Sequence, residues 1–449
     1  MAGVAQGQRI QFEVHGLGSS GEGIGRFHGL TVFVEGALPG EEVEAEVQLS
    51  KKSYARARLL RVIRPSEQRV EPPCPFYERC GGCQIMHMSY AEQLRLKRQR
   101  IVDALTRIGR LADVDVAEVR PSPSPVAYRN KIQLPVVTGA DGTVMGLYAR
   151  QSNDLVPIDA CLIHCPLGEQ VFAALQRLLP DSGLVAYDKR SGKGELRHVL
   201  IKTALATQQV LIVLVGAHQP SPALQELASA LIRQPGVKGV VHNLNPRRDN
   251  VILGREYLCL AGEDGMEEEL NGLRFEVAPA SFFQVNPPQA EQLYAYAIAT
   301  AQLQSGDRVI DAYCGVGTLT LHAAQKAGTV VGVELVPQAI ENAKRNAARN
   351  GLANCTFYCG AVEDLLAELE PSDALFLNPP RKGCAPEVLE AIAQHQPLRV
   401  VYVSCDPATL ARDVALLVAE GYKIEAVQPF DMFPQTMHVE TVLTLVRRL

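Results

Sequence analysis

From Gly306 onward, strand-like and helix-like segments alternate, and this alternation limits the fold more than any other feature of the 449-residue chain. The run RVIDAYCGVGTLTLHAA reads as strand, glycine turn and helix, and Val330 to Leu335 is the next strand, with Glu334 near its end. Such alternation builds a parallel sheet flanked by helices, an α/β architecture of Rossmann type. Open sheets of this kind bind ligands beyond the carboxyl ends of their strands. Gly315 and Gly317 let the backbone approach a nucleotide closely, and Glu334, about 20 positions past the turn, is placed to hold ribose hydroxyls. A dinucleotide is the competing ligand. Three features favour S-adenosylmethionine instead: Asp311 ends the first strand before the turn, Thr320 stands where a third glycine belongs, and Asn378-Pro379-Pro380-Arg381 follows the strand ALFL. No Walker lysine is found, which argues against nucleotide hydrolysis.

The segment VVYVSCD, Val400 to Asp406, reads as a buried strand that delivers Cys405 to the ligand-binding edge of the sheet. A free cysteine is more often a small buried apolar residue. Beside a methyl-donor turn it becomes a candidate nucleophile. In amino-group methyltransferases an aromatic follows the Asn-Pro-Pro motif and stacks on the base; Arg381 takes that place here. A thiol supports other chemistry. Uracil C5 is a poor nucleophile until a thiolate adds at C6, and a base must afterwards remove the C5 proton. His438 and Glu440, in PFDMFPQTMHVETV, are two apart and face one side of an extended segment. Either serves as that base on chemical grounds.

The N-terminal part is of another kind. Four strand-like runs between residues 8 and 64 (RIQFEV, LTVFVE, EVEAEVQL and YARARLLRVI), separated by turns such as GLGSSGEGIG, suggest a small barrel. Lys51, Lys52, Arg56, Arg58, Arg61 and Arg64 form either a phosphate-facing stripe or a charged, aggregation-blocking edge. After a Pro-containing linker, Cys74, Cys80 and Cys83 are spaced C-x5-C-x2-C. These thiols can share one ion or cluster, with Cys161 or Cys165 as the fourth ligand, and spacing alone does not choose zinc or iron–sulfur. Tyr90 to Ile108 is predicted to be an amphipathic helix stopped by Gly109, with Arg95, Lys97, Arg98 and Arg100 on a face that meets solvent or RNA backbone. Residues 126–279 read as mainly β, with strands at HVLIKTAL, QVLIVLVG, VKGVVHNL and VILGREYLCL, a helix over Ala223 to Arg233 and a hairpin turn at Asp141-Gly142.

Composition bounds the remainder. The net charge of −5 confines nucleic-acid binding to local patches. Eleven cysteines with no export signal or apolar span suggest a reducing, cytoplasmic setting, no membrane partner, and thiols used for metal or catalysis.

Together DAYCGVGTLTL, NPPRKG, VVYVSCDPATLARD, FDMFPQTMHVE and SFFQVN resemble the RNA uracil-C5 (5-methyluridine) methyltransferases of the TrmA/RumA type over almost the whole chain. The N-terminal barrel resembles a TRAM domain, and CPFYERCGGC resembles the 4Fe-4S motif of the ribosomal-RNA branch. The resemblance implies three domains: a TRAM/OB-like barrel (1–66), a β-rich central domain with an iron–sulfur cluster (67–279), and a class I methyltransferase domain (280–449) on which the helix 90–109 packs. It implies Cys405 as nucleophile and Glu440 as base. It implies that Gln284, Tyr313, Glu334 and Asn378 contact S-adenosylmethionine beside Gly315 and Gly317, and that Cys74, Cys80, Cys83 and Cys161 hold the cluster, with Cys165 as fallback. Asn378 stands where many members carry Asp. The implied substrate is a uridine of 23S ribosomal RNA. A tRNA T-loop uridine is the near rival, and cytosine C5 and a non-catalytic iron–sulfur RNA-binding module are more distant ones. No protein partner is implied.

Overall fold

The computed structural model of the protein describes residues 4–139 and 142–448. The first unit is a closed barrel, in the order β1-β2-β3-β5-β4, of β1 (Arg9–Leu17), β2 (Gly23–Phe27), β3 (Leu30–Val34), β4 (Glu42–Ser50) and β5 (Tyr54–Arg64). Period-two alternation sends Ile10, Phe12 and Val14 of β1 inward. Strand β2 is hidden in the sequence because its glycines read as turn. Gly25 is needed there: a Cβ would lie 2.3 Å from the Phe12 ring. The barrel's basic stripe is partly neutralised. Register places Glu46 opposite Arg58 and Glu44 opposite Arg61, and each pair is bridged at 2.7 Å. These two arginines offer less to phosphate than the sequence suggests.

Helix α1 (Tyr90–Arg107) follows the linker. The central sheet contains β6 (Lys131–Gly139), β7 (Gly142–Tyr148), β8 (Leu155–Pro157), β9 (Leu196–Ala204), β10 (Gln209–Gly216), β11 (Val237–Leu244) and β12 (Glu256–Gly262), in the order β12-β11-β10-β9-β6-β7-β8. Helices α2 (Pro166–Leu178) and α3 (Pro222–Leu231) pack against it. Gly139 pairs with Gly142; Asp141, expected in this turn, lies outside the described residues. The strand expected from Val251 begins only at Glu256. The Asn245 amide donates to the Val251 and Ile252 carbonyls at 2.7 Å, so side chains, not a neighbouring strand, satisfy that backbone. A hairpin of β13 (Met266–Leu270) and β14 (Leu273–Val277) leads onward.

The last unit contains α4 (Pro287–Ala301), β15 (Arg308–Ala312), α5 (Thr318–Ala324), β16 (Thr329–Glu334), α6 (Pro337–Arg349), β17 (Cys355–Cys359), α7 (Val362–Leu365), β18 (Ala374–Leu377), α8 (Pro386–His395), β19 (Arg399–Ser404), α9 (Pro407–Ala419), β20 (Tyr422–Phe430) and β21 (Glu440–Arg447). Its sheet runs β17-β16-β15-β18-β19-β21-β20. The first five strands are parallel, and β21 enters antiparallel between β19 and β20. Ile310, Leu375, Val400 and Tyr402 fill one face, with Ile101 and Leu105 of α1 in the same core. Val309, Phe376 and Val401 fill the other. Helix α1 thus packs on this domain, although barrel and central sheet lie on either side of it in sequence. No helix among the described residues is long and apolar enough to cross a membrane.

Candidate active site

Two strand ends define the site. Cys405 follows β19 directly, and the next residue, Asp406, caps α9 by accepting from the Ala408 and Thr409 amides at 2.9 and 3.1 Å. Ser404 pairs with Thr441 across β19 and β21, so the residues just beyond that pair are Cys405 and Glu440. Burial first, and then the charge of Glu440, push the Cys405 thiol up to about 11; Arg381 pulls it back. Glu440 is 5% exposed. Its burial pushes the carboxyl up to about 8, again opposed by Arg381. Loss of hydration disfavours both charged forms, and the guanidinium restores part of what is lost.

His438, the other candidate base, is half-buried and packs edge-on against Phe433. Burial, with Arg381 and Arg100 close by, holds its imidazole down at about 4. It stays neutral near pH 7 and is a weak base there. Arg381 was read from sequence only as a missing aromatic; it is the cation shared by this group.

The loop bearing Arg381 is anchored from below. Asp413, fully buried on α9, accepts from the Cys384 amide at 2.8 Å and the Tyr402 hydroxyl at 2.7 Å. Arg412 donates to the Lys382 and Cys384 carbonyls at 3.0 and 3.2 Å. Gly383 has φ +76°, and a Cβ there would meet Asp413 at 2.5 Å. Only glycine suits that close approach.

At the glycine turn, Glu334 accepts from the Gly315 amide at 3.2 Å and the Val336 amide at 2.9 Å. Tyr313 sits at φ +69°, a left-handed backbone that is costly for a tyrosine. A Cβ on Gly315 would meet nothing within 4 Å, so this side of the turn is open. Gly317, at φ +87°, starts α5. Asn378 follows β18 and is half-buried. Asp311 is fully buried and pushed up to about 7. It accepts from the Thr320 hydroxyl at 2.6 Å, and its other oxygen has no partner among the described residues. Gln284 is buried and lies beside Tyr294 of α4, a residue the sequence reading missed. Tyr294 also lies near Asp311 and Glu440, and so bridges the turn and the thiol site. An opening lined by a fixed carboxylate, glycine backbone and neutral amides suits a nucleoside carrying an amino-acid tail.

Among the described residues the segment preceding Glu440 has no strand partner. Helix α1 replaces one. Gln93, Lys97 and Arg100 lie on one helical face. Lys97 bonds Asp431 at 2.5 Å and the Phe433 carbonyl at 3.1 Å. Gln93 and Gln435 exchange bonds of 3.0 and 3.1 Å. Arg100 donates to the Met437 carbonyl at 2.7 Å. Neither reading of the basic face holds for Lys97, which is fully buried; Arg95 does sit on the surface, paired with Glu92. Breaking a buried ion pair leaves the other charge stranded. Lys97→Met is expected to destabilise the protein by about 3–5 kcal/mol in chemical denaturation, and adding Asp431→Leu to recover most of the loss.

The cysteines form a separate cluster. Cys74, Cys83 and Cys161 pack with Tyr77, Met86, Tyr128 and Ile163. Burial, then Cys161, Cys80 and Cys74, push the Cys83 thiol up to about 12. Cys165 belongs elsewhere: it is buried at the start of α2, beside Thr203. Among the described residues no three His, Cys, Asp or Glu are arranged to hold a metal ion.

Comparison with known proteins places these features in context. Residues 3–60 match the TRAM domain model, and residues 303–411 match a methyltransferase domain model. An uncharacterised RNA methyltransferase of Clostridium tetani is 44% identical, covering 96% of this chain and 95% of its own. One from Gloeobacter violaceus is 42% identical, covering 98% and 97%. The crystal structure of Pyrococcus abyssi tRNA (uracil-54, C5)-methyltransferase in complex with S-adenosyl-L-homocysteine superposes with a TM-score of 0.79 at 27% identity, covering 97% of this chain and 100% of that one.

Proposed function

The chain belongs to the S-adenosylmethionine-dependent, TRAM-containing RNA methyltransferases of the TrmA/RumA type, and from that premise we propose that it methylates C5 of a uridine in a structured RNA, 23S ribosomal RNA first. One juxtaposition carries the reading: a thiol and a buried carboxylate at the ends of paired strands, with one arginine serving both.

In this mechanism the Cys405 sulfur bonds to uracil C6 and the ring electrons move toward C5 and O4. C5 then takes the methyl group from the donor's sulfonium, which leaves as a neutral thioether. Glu440 removes the C5 proton, the C–H electrons restore the C5–C6 double bond, and the sulfur departs as thiolate. A carboxyl near 8 exchanges its proton within the working range, as a general base should. Arg381 favours the thiolate that must form. Gln284, Tyr313, Gly315, Gly317, Glu334 and Asn378 hold S-adenosylmethionine, and Asn378, being neutral, contributes hydrogen bonds and no charge. The barrel (1–66) and central domain (67–279) present the RNA to the methyltransferase domain (280–449), where a looped-out base can reach the thiol.

Cys74, Cys80, Cys83 and Cys161 are the ligands we assign to a 4Fe-4S cluster. An all-thiolate set suits it, and the packing of Cys161 with Cys74 and Cys83 supports Cys161 over the fallback Cys165. Bound there, it would supply a rigid, redox-capable cross-link. Cys83→Ser is expected to lose iron and acid-labile sulfide after anaerobic purification, while Cys165→Ser retains both. Equal retention in the two variants would remove the assignment.

A second reading has a tRNA uridine as substrate, which the Pyrococcus abyssi relative favours by its own substrate. Labelled methyl transfer to unmodified ribosomal RNA and tRNA, with the product base mapped, separates the two. Methylation of neither would overturn the proposal.

A further inference from the structure

A cavity of about 350 Å³ lies where the barrel meets the central domain, outside the thiol site. Its walls include Gly21, Glu22 and Glu35 of the barrel and Gly82, Leu147 and Arg150 of the central domain. The volume falls within the range of small-molecule sites, about 300–1,000 Å³.

The cavity is joined to the catalytic centre by a short chain of contacts. A Cβ on Gly21 would lie 3.2 Å from Cγ of Met437. Arg100 holds the Met437 carbonyl, and the same guanidinium feels the charges of Glu22 and of Asp406, the neighbour of Cys405. The junction is also fixed. Leu38, Ile85, Met88 and Met437, from three parts of the chain, share one core. The Gln84 and Ile85 amides both donate to the Gln435 carbonyl, at 3.0 and 3.1 Å.

The lining indicates which part of an RNA would enter. Arg150 is spent: it donates to the carbonyls of Tyr77, Cys80 and Cys83 and lies 4.5 Å over the Tyr77 ring. It is not free for a phosphate. What remains is glycine backbone, the apolar Leu147 and Ala149, Tyr148, and the polar side chains of Ser20, Gln84, Glu22 and Glu35. One Glu22 oxygen takes the Ser20 amide and one Glu35 oxygen takes the Gln151 side-chain amide, which leaves each carboxylate one oxygen to offer. Flat apolar walls with acceptors suit an uncharged ring that carries amino donors.

We propose that this cavity takes a second unstacked nucleobase of the substrate RNA, one with an exocyclic amino group, within a few nucleotides of the methylated uridine. The proposal rests on the RNA-methylating function argued above. The test uses a short transcript carrying the loop that the wild-type enzyme methylates, with an abasic residue placed in turn at each of three positions on either side of the target. One position, bearing A, G or C in the intact loop, is expected to raise KM about tenfold with kcat little changed, in line with the cost of losing one stacked base. Ser20→Trp, which fills the cavity from an exposed barrel loop, is expected to raise KM for intact RNA to the same level and to erase the abasic penalty. A flat scan, a penalty that survives in Ser20→Trp, or a sensitive position occupied by uridine would overturn the proposal. If the wild-type enzyme methylates no RNA, the functional reading fails instead.

Discussion

A Cys405→Ala enzyme is expected to transfer no measurable methyl group, a loss on the order of 10⁴-fold or more, comparable with removing a nucleophile elsewhere. The size follows from the chemistry. Without a bond at C6 there is no enolate, and C5 keeps the low reactivity of a conjugated carbonyl system. The protein should still fold, because Cys405 sits past the end of β19 and makes no core contact of the kind made by Val400 or Tyr402. Labelled methyl incorporation and a thermal melt, measured side by side, check both halves. A stable variant with normal transfer would leave the thiol without a role.

A Glu440→Gln enzyme is expected to stop one step later. Sulfur addition and methyl transfer need no base at C5, whereas release does. Methylated RNA should therefore remain bonded to Cys405 and migrate with the protein on a denaturing gel. The same variant should be more stable than wild type. Burial raises the folded-state pKa of Glu440 from the ordinary 4.5 to about 8. Between those values the unfolded chain has lost its proton while the folded one retains it. Stability then falls as pH rises through this window. Glutamine does not ionise and escapes that loss. Its advantage should be absent near pH 4, grow to a few kcal/mol by about pH 8, and be visible as a rising difference in Tm. In activity, wild-type kcat should rise with pH through about 8 as the carboxylate that completes release forms.

Much of this site was legible in the sequence because its parts lie in short motifs at strand ends. Cys405 and Glu334 could each be placed by the pattern of strands around them, whereas that pattern left Glu440 level with His438 and only the family resemblance chose between them. Strands β15, β16, β18 and β19 of the methyltransferase sheet were legible for the same reason, since continuous apolar runs such as VVYVS read as buried strand; β17, β20 and β21 were not. What escaped depends on partners far away in the chain. Lys97 and Asp431 are 334 residues apart, and nothing local distinguishes Lys97 from the solvated Arg95 nearby. The role of Arg381 arises only once β18, β19 and β21 are side by side. Strand β2 was hidden by glycines that exist to make room for Phe12, a contact invisible until the barrel closes.

The most direct measurement follows the hydrogen that Glu440 is said to remove. RNA transcribed with uridine tritiated at C5, incubated with enzyme and S-adenosylmethionine, is predicted to release one tritium to water for each methyl group gained. Methyl transfer with the tritium retained in the RNA would contradict attack at C5, and with it the roles given to Cys405 and Glu440.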